Sequence, residues 1–143
     1  MKSNSGGFTL IELMIVVEII SIIVAIGVPN YIRARVQANE AKAIGNLKAL
    51  RDAEITYNTA NYVYTADFAD LIDADPAYLS DDLRVDQHGF TYRLEGDVDT
   101  FVGYATPVQF GVTGWRSFRI DDSGTIRYGE GVEPDENGTP IWD

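Results

Sequence analysis

The chain has 143 residues, a formal charge of −11 and no cysteine, which allows one modest hydrophobic core. It also excludes disulfides, thiolate nucleophiles, cysteine-ligated zinc and cysteine-attached haem. Residues 8–60 balance five Lys/Arg against five Asp/Glu, whereas residues 61–143 set five Arg against seventeen Asp/Glu, so the second half repels phosphate and nucleic acid is disfavoured as the main partner.

The opening MKSNSGG is short and polar and ends in two glycines, an extended backbone that a protease can grip. From Phe8 to Val28 run 21 residues whose only ionisable members are Glu12 and Glu18. A bilayer core takes about 20 helical residues, so the run predicts a single membrane-spanning helix. A cleavable secretory signal has a shorter apolar core of about 7–15 residues, and Ala25-Ile26-Gly27 matches its cleavage site weakly. Gly7–Phe8, on the other side of the run, is the better candidate cut. A carboxylate at the centre of a membrane helix costs about 2.5–3.5 kcal/mol, so Glu12 and Glu18 each need an interface, a proton or a partner. Six helical steps turn them about 240° apart, off a common face. Pro29 withholds a donor from the Ala25 carbonyl and Gly27 lowers helix propensity nearby, which marks a kink or the point where a helix leaves the membrane. Lys2 precedes the span while Arg33 and Arg35 follow it, so charge counting favours a cytoplasmic second half.

The order GGFTLIE at residues 6–12, then FTLIELMIVV, Pro29 and Asn30-Tyr31, resembles the processing site and first helix of type IV pilins and the pseudopilins of type II secretion. The resemblance implies that a membrane-embedded prepilin peptidase cuts after Gly7, methylates the new amine of Phe8 and leaves the apolar helix in place. It implies that Glu12 attracts the amine of a neighbouring subunit during assembly; the plainer alternative is a Glu12 that only reaches the headgroups. Glu18 stands where the family has a small apolar residue, and protonation, a basic partner on another subunit and a variant of the packing all remain open for it. The resemblance also puts MKSNSGG in the cytoplasm and the acidic half across the membrane, against the charge count. The division it implies is a leader at 1–7, a membrane-spanning and filament-core helix at 8–29, an amphipathic helix at 30–60 and an acidic head at 61–143.

After Pro29, Ile32, Val36, Ala43, Leu47, Leu50 and Tyr57 recur at steps of three, four or seven, predicting an amphipathic helix to about Thr59. Residues 60–88 predict a short helix over Asp67 to Asp73 with Thr65 as candidate cap. GFTYRL, TFVGYA, WRSFRI and TIRYG alternate as strands, the last two joined by turn residues Asp121 to Gly124. The fold class is therefore α+β, with a four-stranded antiparallel sheet covering the helix stripe, and the resemblance implies the same pilin-like architecture. The eight tyrosines read as core and strand residues.

Glu133, Asp135, Asn137 and Gly138 imitate the first half of a calcium loop whose closing bidentate Glu is missing, so a solvated acidic tail is the preferred reading. Asn137-Gly138-Thr139 is a chance-level glycosylation pattern. His88 has no Ser or Asp placed with it as a triad requires, and Asp81, Asp82 and Asp86 read as a solvated charge cluster. No catalytic constellation and no cofactor are expected. The resemblance implies a structural subunit, single-pass in the inner membrane and then part of an extracellular pilus for adhesion or motility. Its partners would be copies of itself, the prepilin peptidase, an inner-membrane assembly platform with its ATPase, and the lipid bilayer before assembly. A pseudopilin of a periplasmic secretion piston is the close alternative, and a membrane-anchored binding domain that does not polymerise is the distant one.

Overall fold

The computed structural model describes residues 7–141; most of the expected leader, together with Trp142 and Asp143, lies outside them. The elements are α1 (Leu10–Asn61), α2 (Phe68–Ile72), β1 (Phe90–Gly96), β2 (Phe101–Pro107), β3 (Arg116–Asp121), β4 (Arg127–Glu130) and β5 (Thr139–Pro140). The chain falls into two compact units, the first ending at Ala34 and the second beginning at Arg35.

In the first unit every described residue is exposed. The backbone is helical from Leu10 and stays so through Gly27 and Pro29, because a helix interior that loses one donor at proline keeps its other bonds. Ser21 donates to the Val17 carbonyl at 2.7 Å, satisfying its hydroxyl within the apolar run. Among the described residues, α1 is the one helix long and apolar enough to cross a bilayer.

In the second unit α1 buries Val36, Ala43, Leu47 and Leu50 of the stripe that the periodicity predicts, and Ala53 beside them, while Tyr57 is half-buried and Ile32, in the first unit, is exposed. Five antiparallel strands in the order β1-β2-β3-β4-β5 form one sheet. Their alternation sends Phe90, Tyr92, Leu94, Phe101, Ala105, Phe118 and Ile120 into one core with the helix. Each fully buried Leu or Phe contributes about 1.5–3 kcal/mol. Gly103 of β2 permits the close approach, since a Cβ there would stand 2.8 Å from Leu50 Cδ2. The β3–β4 turn closes with Gly124 N–H donating to the Asp121 carbonyl at 2.9 Å, and the φ of 78° at Gly124 explains the glycine.

Two expectations change. The sheet has a fifth strand inside the segment expected as a solvated tail, where Thr139 and Pro140 pair with Tyr128 and Arg127. Proline is tolerated there because β5 is an edge that needs no second ladder. The short helix is capped by Asp67, whose carboxylate accepts the Ala69 N–H at 2.8 Å. Thr65 is instead buried, accepting from Asp67 N–H and donating to the Asp70 carboxylate at 2.6 Å.

Polar side chains cross-link the stripe. Glu40, 4% exposed, accepts from the backbone N–H groups of Trp115 and Arg116 and from the Arg116 guanidinium at 2.7 Å. Asn46 donates to the Tyr92 hydroxyl at 2.9 Å, while burial pushes the Tyr92 phenol up to about 12. Glu54 is fully buried; one oxygen accepts the Thr65 N–H at 3.2 Å and the other has no partner.

Candidate processing and assembly segment

The helix start is built by its own sequence. Thr9 sits just before Leu10, and its hydroxyl accepts the Glu12 N–H at 3.3 Å. Glu12 reaches back, its Oε2 accepting both the Thr9 N–H and the Thr9 hydroxyl at 2.8 Å. This reciprocal capping box satisfies two donors that a helix N-terminus otherwise leaves open. Thr9 is a capping residue that the apolar pattern alone does not reveal; its signal is the T-x-x-E spacing directly before the run.

Both Thr9 donors fall on one Glu12 oxygen, which leaves Oε1 available to a further donor. Gly7 and Phe8 precede the helix with non-helical backbone, and Phe8 is 84% exposed. A protease therefore meets an exposed, non-helical peptide next to a capped helix. A cut there leaves a cationic amine on Phe8, four residues before Glu12.

Glu18 is exposed on the same helix, and nothing in the structure explains it. Gly27 and Pro29 are both exposed, and a Cβ added at Gly27 would meet no atom within 4 Å. Gly27 thus serves no packing need among the described residues.

The calcium-like residues are not brought together. Glu133 is held on the sheet by Arg93 at 2.7 Å and by the Thr106 hydroxyl at 3.0 Å, while Asp135 accepts the Asn137 N–H in a local turn. No cluster of His, Asp and Glu fit for a metal occurs among the described residues. His88 is exposed in the turn before β1 with a φ of 51°. Asp82 pairs with Arg84 at 2.9 Å, which lowers the Asp82 carboxyl, and Asp86 accepts from Thr91.

Residues 2–28 match the profile of the prokaryotic N-terminal methylation motif. The type IV major pilin PilA of Myxococcus xanthus is 46% identical over 69 residues, 48% of this chain and 31% of that protein. The type IV wide pilus major component PilA4 of Thermus thermophilus is 41% identical over 48% of this chain and 53% of its own length. The match thus spans about a third of one of these relatives and half of the other. The type II secretion system core protein G of Aeromonas hydrophila is 30% identical over 98 residues, 67% of this chain and 68% of that protein.

Proposed function

Because the chain belongs to the family of type IV pilins and type II secretion pseudopilins, we propose that it is a filament subunit of the pilin kind. It is cut between Gly7 and Phe8 by a prepilin peptidase and methylated on the Phe8 amine. It is held in the inner membrane by residues 8–29 until an assembly platform and its ATPase add it to a growing surface fibre. Its role is structural and not enzymatic, and its main partners are its own copies.

The observation that carries this reading is the arrangement at the helix start, with an uncovered Gly7–Phe8 peptide and a Glu12 carboxylate held ready by Thr9. Leader removal supplies the cation. In a water-poor bundle of helices an unpaired carboxylate is costly, and a neighbouring subunit's Phe8 amine offsets that cost only once it exists and sits at matching depth. One charge pair thereby links processing to axial register. Gly27 and Pro29 give the helix a place to bend or loosen as it packs against others. The secretion pseudopilin is the second reading, favoured by the match to core protein G, which covers 67% of this chain.

Mass spectrometry of the first tryptic peptide tests processing, with N-methylated Phe8 expected as residue one. Electron microscopy of surface-sheared material tests assembly. Glu12→Ala is expected to leave processing intact and cut filament yield at least about tenfold, one lost buried charge pair being worth that much. Wild-type yield in that variant would defeat the pairing.

A further inference from the structure

Residues 100–120 contain no Asp or Glu, although residues 61–143 hold seventeen. The middle of this acid-free stretch is the β2–β3 connection, and it is a built loop. Gln109 N–H donates to Thr113 Oγ1 at 3.1 Å, Thr113 N–H to the Gln109 carbonyl at 2.9 Å and Gly111 N–H to the Gly114 carbonyl at 2.9 Å. Two helix residues clamp it: Asn39 donates to the Thr113 carbonyl at 3.0 Å, and Glu40 accepts the Trp115 N–H at 2.8 Å.

This well-held loop exposes large apolar side chains. Val108 is 54% exposed, Phe110 40%, Val112 48% and Trp115 58%, and the Trp115 ring lies against Gly111. Such a grouping is more than the scattered single apolar residues of an ordinary surface. Its acidic neighbours are the buried Glu40, paired with Arg116, and Glu130, which lines the shallow hollow shared by Phe110, Gly111 and Trp115.

Three observations choose the occupant. Tryptophan carries an amphipathic ring that settles at the headgroup level of a bilayer. A loop with no acidic side chain of its own, on an otherwise acidic half, is the part that an anionic leaflet repels least. The clamp residues Asn39 and Glu40 follow Val28, the end of the apolar run, by only eleven and twelve positions, and a chain of that length reaches at most about 40 Å even fully extended. We infer that the 108–115 loop is an interfacial membrane anchor, with Trp115 and Phe110 seated among lipid headgroups in the unassembled subunit and Glu130 left at the wet rim. The inference rests on the reading of residues 8–29 as a membrane span. Its consequence is a head held against the bilayer until extraction pulls the loop free.

The sequence has two tryptophans, Trp115 and Trp142, so Trp142→Phe in the full chain leaves Trp115 as the reporter. The chain is reconstituted singly into nanodiscs of phosphatidylethanolamine and phosphatidylglycerol, with and without acyl-brominated phosphatidylcholine, and in parallel into vesicles of the same lipids, where flotation after an alkali wash checks its insertion. Brominated lipid is expected to quench Trp115 about twofold, as for an interfacial indole, and lipid should shield it from acrylamide. Val108→Ser with Val112→Ser should reduce that quenching while near-ultraviolet circular dichroism stays native. An inserted chain whose Trp115 ignores brominated lipid overturns the anchor and leaves the span standing. Shielding that appears only with several chains per disc assigns the surface to a second copy and likewise overturns it. A chain that does not float with lipid removes the span and the anchor together.

Discussion

Four glutamates lie along α1, two in each unit, and the units treat them in opposite ways. In the first unit Glu12 and Glu18 are exposed among residues that are all exposed. In the second, Glu40 and Glu54 are 4% and 0% exposed, one closed by an arginine and two backbone donors, the other by a single N–H. The second unit gives each of them a partner within the chain, although one Glu54 oxygen stays unpaired. The first leaves its apolar surface and Glu18 uncovered and gives Glu12 only Thr9, which is what the proposed exchange of lipid for other subunits would require.

The largest effects are expected where the internal answers are removed. Arg116→Ala deletes the guanidinium on Glu40, which also lies 5.5 Å over Phe118 and 5.2 Å over Tyr128. An uncompensated buried charge costs about 3–4 kcal/mol, read as lost unfolding stability of the detergent-solubilised chain. A loss under about 1 kcal/mol would mean that the two backbone donors hold Glu40 alone, each worth that order.

Glu54 is the next target. Burial raises its carboxyl from 4.5 to about 7, the Thr65 N–H opposes that shift, and the nearby Asp70 adds to it. The folded state therefore keeps a proton that the unfolded state gives up. Stability from this site is complete below pH about 4.5 and falls as pH rises through about 7, by about 3 kcal/mol in all. Glu54→Gln should flatten that fall in pH-dependent denaturation. An unchanged slope would place the titration elsewhere.

How much of this was readable in the sequence follows the same division. GFTYRL and TFVGYA alternate plainly, so β1 and β2 come out in place, and Asp121 to Gly124 announces its hairpin. The buried Glu40, Asn46 and Glu54 do not show, because a periodicity count scores apolar residues, and their partners Arg116, Tyr92 and Thr65 lie 76, 46 and 11 positions away. β5 stays hidden because two residues ending in proline carry no alternation. The 108–115 loop looks like an ordinary connection until its apolar side chains prove to be exposed. At the helix start the motif points to Gly7, Phe8 and Glu12, and the T-x-x-E spacing before the run already hints at the hand-hold that the coordinates show Thr9 offering Glu12.

Thr9→Ala sharpens the comparison at smaller cost. It removes the hydroxyl half of the capping box and should weaken the helix start by about 1 kcal/mol, visible as faster amide exchange over residues 10–13 in micelles. If Glu12 serves only as a cap, filament yield should fall no further than this fraying explains. If it serves a neighbour's amine, Thr9→Ala should assemble far better than Glu12→Ala.

Gly27→Ala is expected to do least to the single chain. A Cβ there meets nothing within 4 Å, and alanine is favoured over glycine inside a helix by about 1 kcal/mol, so insertion and helicity should hold or improve. That neutrality makes the variant informative. A helix that keeps glycine against its own propensity does so for a close approach or a bend that another helix demands. Filament yield should therefore drop while the membrane-inserted subunit accumulates, measured by microscopy beside immunoblotting of the membrane fraction. Full assembly of Gly27→Ala would show that the bend, if the filament has one, is set by Pro29 alone.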